Sequence, residues 1–176
     1  IPPINIMDAR QAFKSLPLLY EIPMYNHEPS DYLCPFCLFV AGKESDYNKL
    51  SDIIYQGASV FAYISPKWWI NNPGNVIIIP KKHVEHIYDI DDEALANVQI
   101  TGKKIAIAMR GTYGCDGVLF RQHNEPAGNQ DIYHYHLHLF PRWKEDHFYQ
   151  NLEHHRYVTA EERLPFADKL RLALKT

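Results

Sequence analysis

Residues 133–142 read Tyr-His-Tyr-His-Leu-His-Leu-Phe-Pro-Arg, and no other stretch constrains the chain as tightly. Laid out at a period of two, His134, His136 and His138 share one face, while Tyr133, Tyr135, Leu137 and Leu139 share the other. Aromatic and aliphatic residues suit a pleated, half-buried surface. Pro141 lacks a ladder donor and is expected to end the strand. Successive histidines then stand about 6.6 Å apart, at about 3.3 Å per residue. A lone histidine is usually a satisfied core or surface residue. Three in strict alternation make a costly face unless they meet a polar ligand, a metal or a phosphate, so this strand reads as a site.

The rest of the chain supplies a frame for it. Ile53 to Tyr55 and Ser59 to Ile64 read as strands joined by a turn at Gln56-Gly57, and Val76 to Pro80 as a central strand buried on both faces. Asp91-Asp92-Glu93 marks the start of a helix running to about Arg110, with Gly111 and Gly114 ending it. Gly117 to Gln122 is another strand, followed by the loop His123 to Asp131. Strands joined by turns, with one long helix inserted, predict an antiparallel α+β sheet. Glu161 to Leu174 reads as a helix beginning near Pro165. Five of the twelve prolines fall in residues 1–31, an irregular arm in which Asp8 caps a short helix from Ala9 to Leu16.

At 176 residues the chain fits one domain with extensions, divided as an arm (1–31), a domain (32–150) and a C-terminal extension (151–176). A net charge of −3 without a basic run gives no support for a nucleic-acid polymer as partner. No apolar stretch approaches the ~20 residues of a membrane span, and residues near Ile1 show no leader pattern. The start at Ile1 is expected to be a trimmed one. Three cysteines, two of them as Cys34-Pro35-Phe36-Cys37, argue against a secreted disulfide framework. The expectation is a cytoplasmic enzyme. Cys34 and Cys37 are spaced to face one tetrahedral metal, yet they supply only half a zinc site. The competing readings are two buried free thiols and a redox dithiol, and the latter would need the strand-then-helix context of a thioredoxin fold, which is missing.

The histidine pattern and its apolar flanks resemble the signature of the histidine-triad superfamily of nucleotide hydrolases and transferases. The likeness extends to Asn124-Glu125-Pro126-Ala127-Gly128-Asn129-Gln130 before the triad and to Pro141-Arg142 after it. It also takes in Asn72 to His83, similar to the strand entering the family's Pro-x-x-His turn, and the Cys-x-x-Cys of many bacterial members. The resemblance implies a five-stranded antiparallel sheet with a long helix packed on it, commonly paired as a homodimer. It implies that His83 and His134 complete a structural zinc site with Cys34 and Cys37, and that no organic cofactor is needed. His136 is then the nucleophile and His138 the proton handler, with Gln130, or Asn129, donating to the phosphate or leaving group. Asn124 lies where the family often uses a polar residue near the α-phosphate. Ser65, or alternatively Tyr63, takes the ribose-binding place of the usual Asp or Asn, with Asn71 or Asn72 compensating. Trp68-Trp69 offers a base-stacking surface, core filling or a subunit interface.

Neutral imidazole is a good nucleophile near neutral pH, and attack on phosphorus splits one hard displacement into two easier ones. The expected substrate is a nucleotide conjugate cut at its α-phosphate, a dinucleoside polyphosphate or a nucleoside phosphoramidate. Two other readings stand beside it. One is a metal-dependent hydrolase using His134 and His136 as zinc ligands, with His123 or His83 as a third. The other is a regulatory nucleotide-binding protein.

Overall fold

The computed structural model describes residues 26–175. Five strands form one antiparallel sheet: β1 (Ile53–Gln56), β2 (Val60–Ile64), β4 (Val76–Pro80), β5 (Gly117–Gln122) and β6 (Leu137–Arg142), in the spatial order β1-β2-β4-β6-β5. The continuous apolar runs of β2 and β4 are buried throughout, as central strands with both faces covered should be. Three α-helices among the described residues accompany the sheet: α1 (Pro35–Val40), α2 (Asp92–Tyr113) and α3 (Ala160–Ala173). No helix among the described residues is long and apolar enough to cross a membrane. The expected helix from Ala9 to Leu16 lies outside the described residues.

Alternation sorts the side chains onto two faces. Ala62, Ile64, Val76, Ile78, Leu137 and Leu139 meet Val98, Ile105 and Met109 of α2 and Ala167 and Leu170 of α3. The opposite face carries Phe61, Tyr63, Ile77 and Ile79, covered by Phe36 and Phe39 of the short α1. Helix α2 begins where Asp91 accepts from the Ala94 amide at 2.8 Å, with Asp92 and Glu93 in its first turn. It passes through Gly111 and ends only at Gly114, whose φ of 67° takes the left-handed turn that a helix end favours. Within α2, Gly102 lets helix and sheet approach: a Cβ there would lie 2.8 Å from the Phe120 ring and 3.3 Å from Leu137.

Three expectations about the elements are corrected. Strand β6 starts at Leu137, because the chain bends at His134, whose amide donates to the Ile132 carbonyl at 2.8 Å. It also runs through Pro141 to Arg142. The Asp116 amide donates to the Arg142 carbonyl, so the polar groups of Pro141 point away from β5. On that side β4 has already ended, its register reaching only Val76 opposite Leu139, and the proline's missing donor costs no ladder bond. Helix α3 starts at Ala160, ahead of Pro165. A Thr159–Glu162 capping box fixes its first turn. Arg163, buried, then grips Asp52 through two bonds of 2.8 Å.

A second, two-stranded sheet pairs β3 (Lys67–Trp69) with β7 (His155–Tyr157). It divides the tryptophan pair. Trp68 is core, edge-on to Phe166 and donating to the Ser65 carbonyl at 2.8 Å. Trp69 stays half-buried, edge-on to Phe140 at 5.0 Å.

Candidate active site

Cys34 stands at the N-cap of α1, His83 follows the end of β4, and His134 lies in the bend before β6. These elements bring Cys34, Cys37, His83 and His134 into one group able to hold a metal ion, their ligand atoms all within 4.8 Å of one another. His134 Nδ1 is 3.3 Å from Cys34 Sγ and 3.6 Å from Cys37 Sγ, and His83 Nδ1 is 3.2 Å from Cys37 Sγ. Ligands on one tetrahedral zinc, with Zn–N near 2.0 Å and Zn–S near 2.3 Å, stand about 3.5 Å apart. The spacing fits. Each ring is also turned correctly: His134 Nε2 donates to the Pro80 carbonyl at 2.9 Å, and His83 Nε2 donates to Glu28. With Nε2 carrying the hydrogen, Nδ1 presents its lone pair to the sulfurs, as a metal-bound imidazole must.

One step along, His136 Nδ1 lies 2.7 Å from the carbonyl oxygen of His134. A carbonyl only accepts, so Nδ1 carries the hydrogen and Nε2 keeps its lone pair. The His136 ring sits edge-on to Phe36 at 5.2 Å and to His138 at 4.9 Å. Burial pushes His134 down to about 4, against the opposing pull of the Pro80 carbonyl. It lowers His136 as well, against its bond to the His134 carbonyl. His138 falls well below the ordinary histidine value through burial first and its histidine neighbours next. All three rings are therefore neutral near pH 7. His138 Nδ1 is buried without a hydrogen-bond partner among the described residues.

A cavity of about 490 Å³ opens beside His138, bordered by Lys67, Trp69, Arg121, His123, Asn129 and Asp131. Its lining reaches His138; His136 lies deeper, beneath Phe36. Of the other sequence-derived candidates, Asn129 is exposed at this cavity. Gln130 borders it, but its amide nitrogen donates to the Glu85 and Ile132 carbonyls and its oxygen accepts from the Glu125 amide. Both hydrogens being engaged, Gln130 fastens the loop and Asn129 is the free donor. Asn124 is tied to Gln122 and to the Ile87 amide. Ser65 is buried and bonded to the backbone of Lys67. Asn72 is buried, donating to the Pro141 carbonyl and to Asp146, each at 2.8 Å. Asn71 donates to the Asp146 carbonyl, and Tyr63 is packed among Phe36, Phe39 and Phe61.

Sequence reasoning passed over Lys67 and Arg121 altogether, and took His123 only as a possible metal ligand. Arg121 had a usable signal: it pairs directly with His138 across β5 and β6, so the two share a face. Lys67 comes from the β3–β7 ribbon, which carries no recognisable signature in sequence.

Residues 48–145, more than half of the chain, match the HIT domain family model. An uncharacterised HIT-like protein of Saccharolobus solfataricus is 27% identical over 114 residues, covering 65% of this chain and 77% of that protein. Protein hit of Bacillus subtilis is 30% identical over 110 residues, 62% of this chain and 71% of that one. Among solved structures, a zinc-bound histidine triad family protein from Mycobacterium smegmatis superposes with a TM-score of 0.66 at 26% identity, covering 81% of this chain and 93% of that one. A HIT-like protein from Bartonella henselae gives 0.64 at 25% identity, over 80% and 95%. The match spans the sheet from β1 to β6, the long helix and the triad together, so this chain belongs to the HIT domain family.

Proposed function

We propose that the chain is a nucleotide hydrolase or nucleotidyl transferase that cuts nucleotide conjugates at the α-phosphate through a nucleotidyl-histidine intermediate on His136. The observation that carries this reading is the bond from His136 Nδ1–H to the His134 carbonyl, which leaves the Nε2 lone pair for attack. In the first step Nε2 bonds to phosphorus, the bond from phosphorus to the leaving group breaks, and the leaving group takes a proton drawn from solvent and relayed through a neutral imidazole that accepts at one nitrogen and donates from the other. His138, at 4.9 Å between ring centroids, is the neighbour that handles that proton. Water then attacks phosphorus and gives up a proton to solvent by the same relay, the P–N bond opens, and His136 returns to its neutral form as the nucleotide leaves. Asn129, Lys67 and Arg121 face the cavity, where two cations and an amide suit the charge of a polyphosphate or phosphoramidate.

Cys34, Cys37, His83 and His134 would hold a structural zinc, whose contribution is to fix the bend that aims the His134 carbonyl at His136. The zinc-bound Mycobacterium smegmatis neighbour supports that assignment. A catalytic metal shared by His134 and His136 has less support, since His134 Nδ1 faces the cysteines while His136 Nδ1 is bonded to a carbonyl. Homodimer formation in the cytoplasm belongs to the same proposal. The surface for pairing is smaller than the sequence suggests, because Trp68 lies in the chain's own core.

Rapid quenching during turnover of a labelled adenylyl substrate tests the reading. The expected result is an acid-labile, base-stable adenylyl adduct on His136. Full turnover with no adduct on any histidine would overturn it, and tight nucleotide binding without turnover would favour a regulatory binder.

A further inference from the structure

A second cluster of metal-type ligands lies outside the triad. It joins His27, Glu85 and His86, whose ligand atoms are within 4.8 Å of one another, and Glu125 adjoins it. His86 is the informative member, being only 2% exposed. Its Nδ1 lies 3.3 Å from an Asp89 carboxylate oxygen, which only accepts, so Nδ1 is the donor and the neutral ring's lone pair is on Nε2. That Nε2 is buried and makes no hydrogen bond among the described residues. It faces Glu85 Oε1 at 3.1 Å, outside hydrogen-bonding geometry, and Glu125 Oε1 at 3.8 Å. Two carboxylate oxygens facing a buried imidazole nitrogen call for positive charge between them, a proton on Nε2 or a metal ion, and the misaligned Glu85 contact is poor geometry for a proton.

The other ligands are already converged. Glu85 Oε1 also lies 2.9 Å from His27 Nδ1 and 3.1 Å from the His27 amide, so Nδ1 is the nitrogen His27 offers, while its Nε2 lies 3.0 Å from Glu125 Oε2 and can donate to it. Nitrogen and oxygen ligands on one tetrahedral cation of this size stand about 3.3 Å apart, given bonds near 2.0 Å. The Asp89–His86 bond supplies the outer carboxylate that orients a metal-bound imidazole. We infer that His27, Glu85 and His86 bind a second divalent first-row metal ion, distinct from the cysteine-containing group, with Glu125 beside them as a hydrogen-bond partner of His27. Two imidazoles with carboxylates and no sulfur suit zinc, cobalt, nickel or manganese.

Such an ion, with the Glu125 bond to His27, would tie three separate segments. His27 lies ahead of α1, Glu85 and His86 follow the turn after β4, and Glu125 opens the loop leading to the triad. That loop is fastened at the same point, since Gln130 accepts from the Glu125 amide and donates to the Glu85 carbonyl. The second ion acts as a clasp on the loop that borders the His138 cavity.

Cobalt reports the two sites separately. The full chain, stripped with chelator and titrated with Co²⁺, should take two equivalents. One gives the near-ultraviolet sulfur-to-cobalt bands of the cysteine set, and the other gives weak visible bands without them. His86→Gln should lose one equivalent and keep the sulfur bands. His27→Ala, on a segment outside the sheet, gives the same readout if His86→Gln fails to fold. Cys34→Ser/Cys37→Ser should keep one equivalent and lose the sulfur bands. A wild-type chain binding one cobalt, or a second equivalent that survives both His86→Gln and His27→Ala, would overturn the inference. None of these readouts depends on turnover, so the proposed reaction stands or falls separately.

Discussion

The sheet's two faces are covered by different means. One is packed against α2 and α3 through a large apolar cluster, with the buried Arg163–Asp52 pair at its margin. The other has the six-residue α1 as its helical cover, and polar side chains held one by one line its exposed margin. Each fully buried aliphatic side chain on the first face contributes about 1.5–3 kcal/mol. A hydrogen bond such as His136 to His134 contributes a net of only about 0.5–1.5 kcal/mol. Both faces bury apolar side chains, the helical face the larger set, and the histidine face adds directional bonds. His136 is held in a fixed direction under this cover, next to the cavity that His138 lines.

Four substitutions or conditions separate the faces, starting with the largest effect. His136→Asn keeps the side chain's size and its bond to the His134 carbonyl, yet removes the attacking nitrogen. Turnover should fall by at least about 10⁴-fold with little change in the thermal midpoint, since the covalent route depends on this group. Near-normal turnover would sink the triad mechanism for this chain. Arg163→Met tests the opposite face: it strands the buried Asp52 carboxylate and should cost about 3–5 kcal/mol in denaturant unfolding. Activity per folded molecule should hold, and replacing Asp52 by Leu as well should recover much of the loss.

Gly102→Val sharpens the packing side of the comparison. Its Cβ would fall 2.8 Å from Phe120, and overpacking of this kind costs about 1–3 kcal/mol, so an unchanged unfolding midpoint would show that helix and sheet have slack. The smallest effect concerns acid. Arg142 first, and Asn72 and the Phe148 and Trp143 amides after it, hold the Asp146 carboxyl well below the usual carboxylate range. A depressed folded value gives stability that is present above the unfolded value of about 4 and is lost as pH falls below it. Acid titration of wild type and Asp146→Asn should show that limb flattened in the variant; identical limbs would mean the pairing has no net effect.

Legibility followed the kind of constraint. Apolar runs placed β2 and β4, and alternation put His136 and His138 on the face opposite Leu137 and Leu139. His134 also keeps to the Phe36 side, but the strand reading failed there, because the bend is set by a hydrogen bond to Ile132 that side-chain pattern does not encode. The β3–β7 ribbon was invisible for a related reason: three-residue strands meet only through long-range contacts such as Trp69 opposite His155. The four ligand-type residues of the cysteine group come from three distant segments, and the family likeness, not their spacing, assembled them. Asn72, Asn124 and Gln130 show a further limit. A polar side chain in sequence looks the same whether it faces a ligand or the chain's own polar groups, and these three are bonded to the chain itself.

The grip of Arg163 on Asp52 spans 111 positions. During synthesis, at about 5–20 residues per second, Asp52 therefore waits on the order of ten seconds for its partner. Throughout that interval it leaves an unpaired negative charge at the start of β1, the edge strand of a sheet whose inner strands are strongly apolar. Charge on an open edge discourages pairing with neighbouring chains. The carboxylate that anchors α3 in the finished fold thus guards the nascent one, and it is silenced only when the arginine arrives.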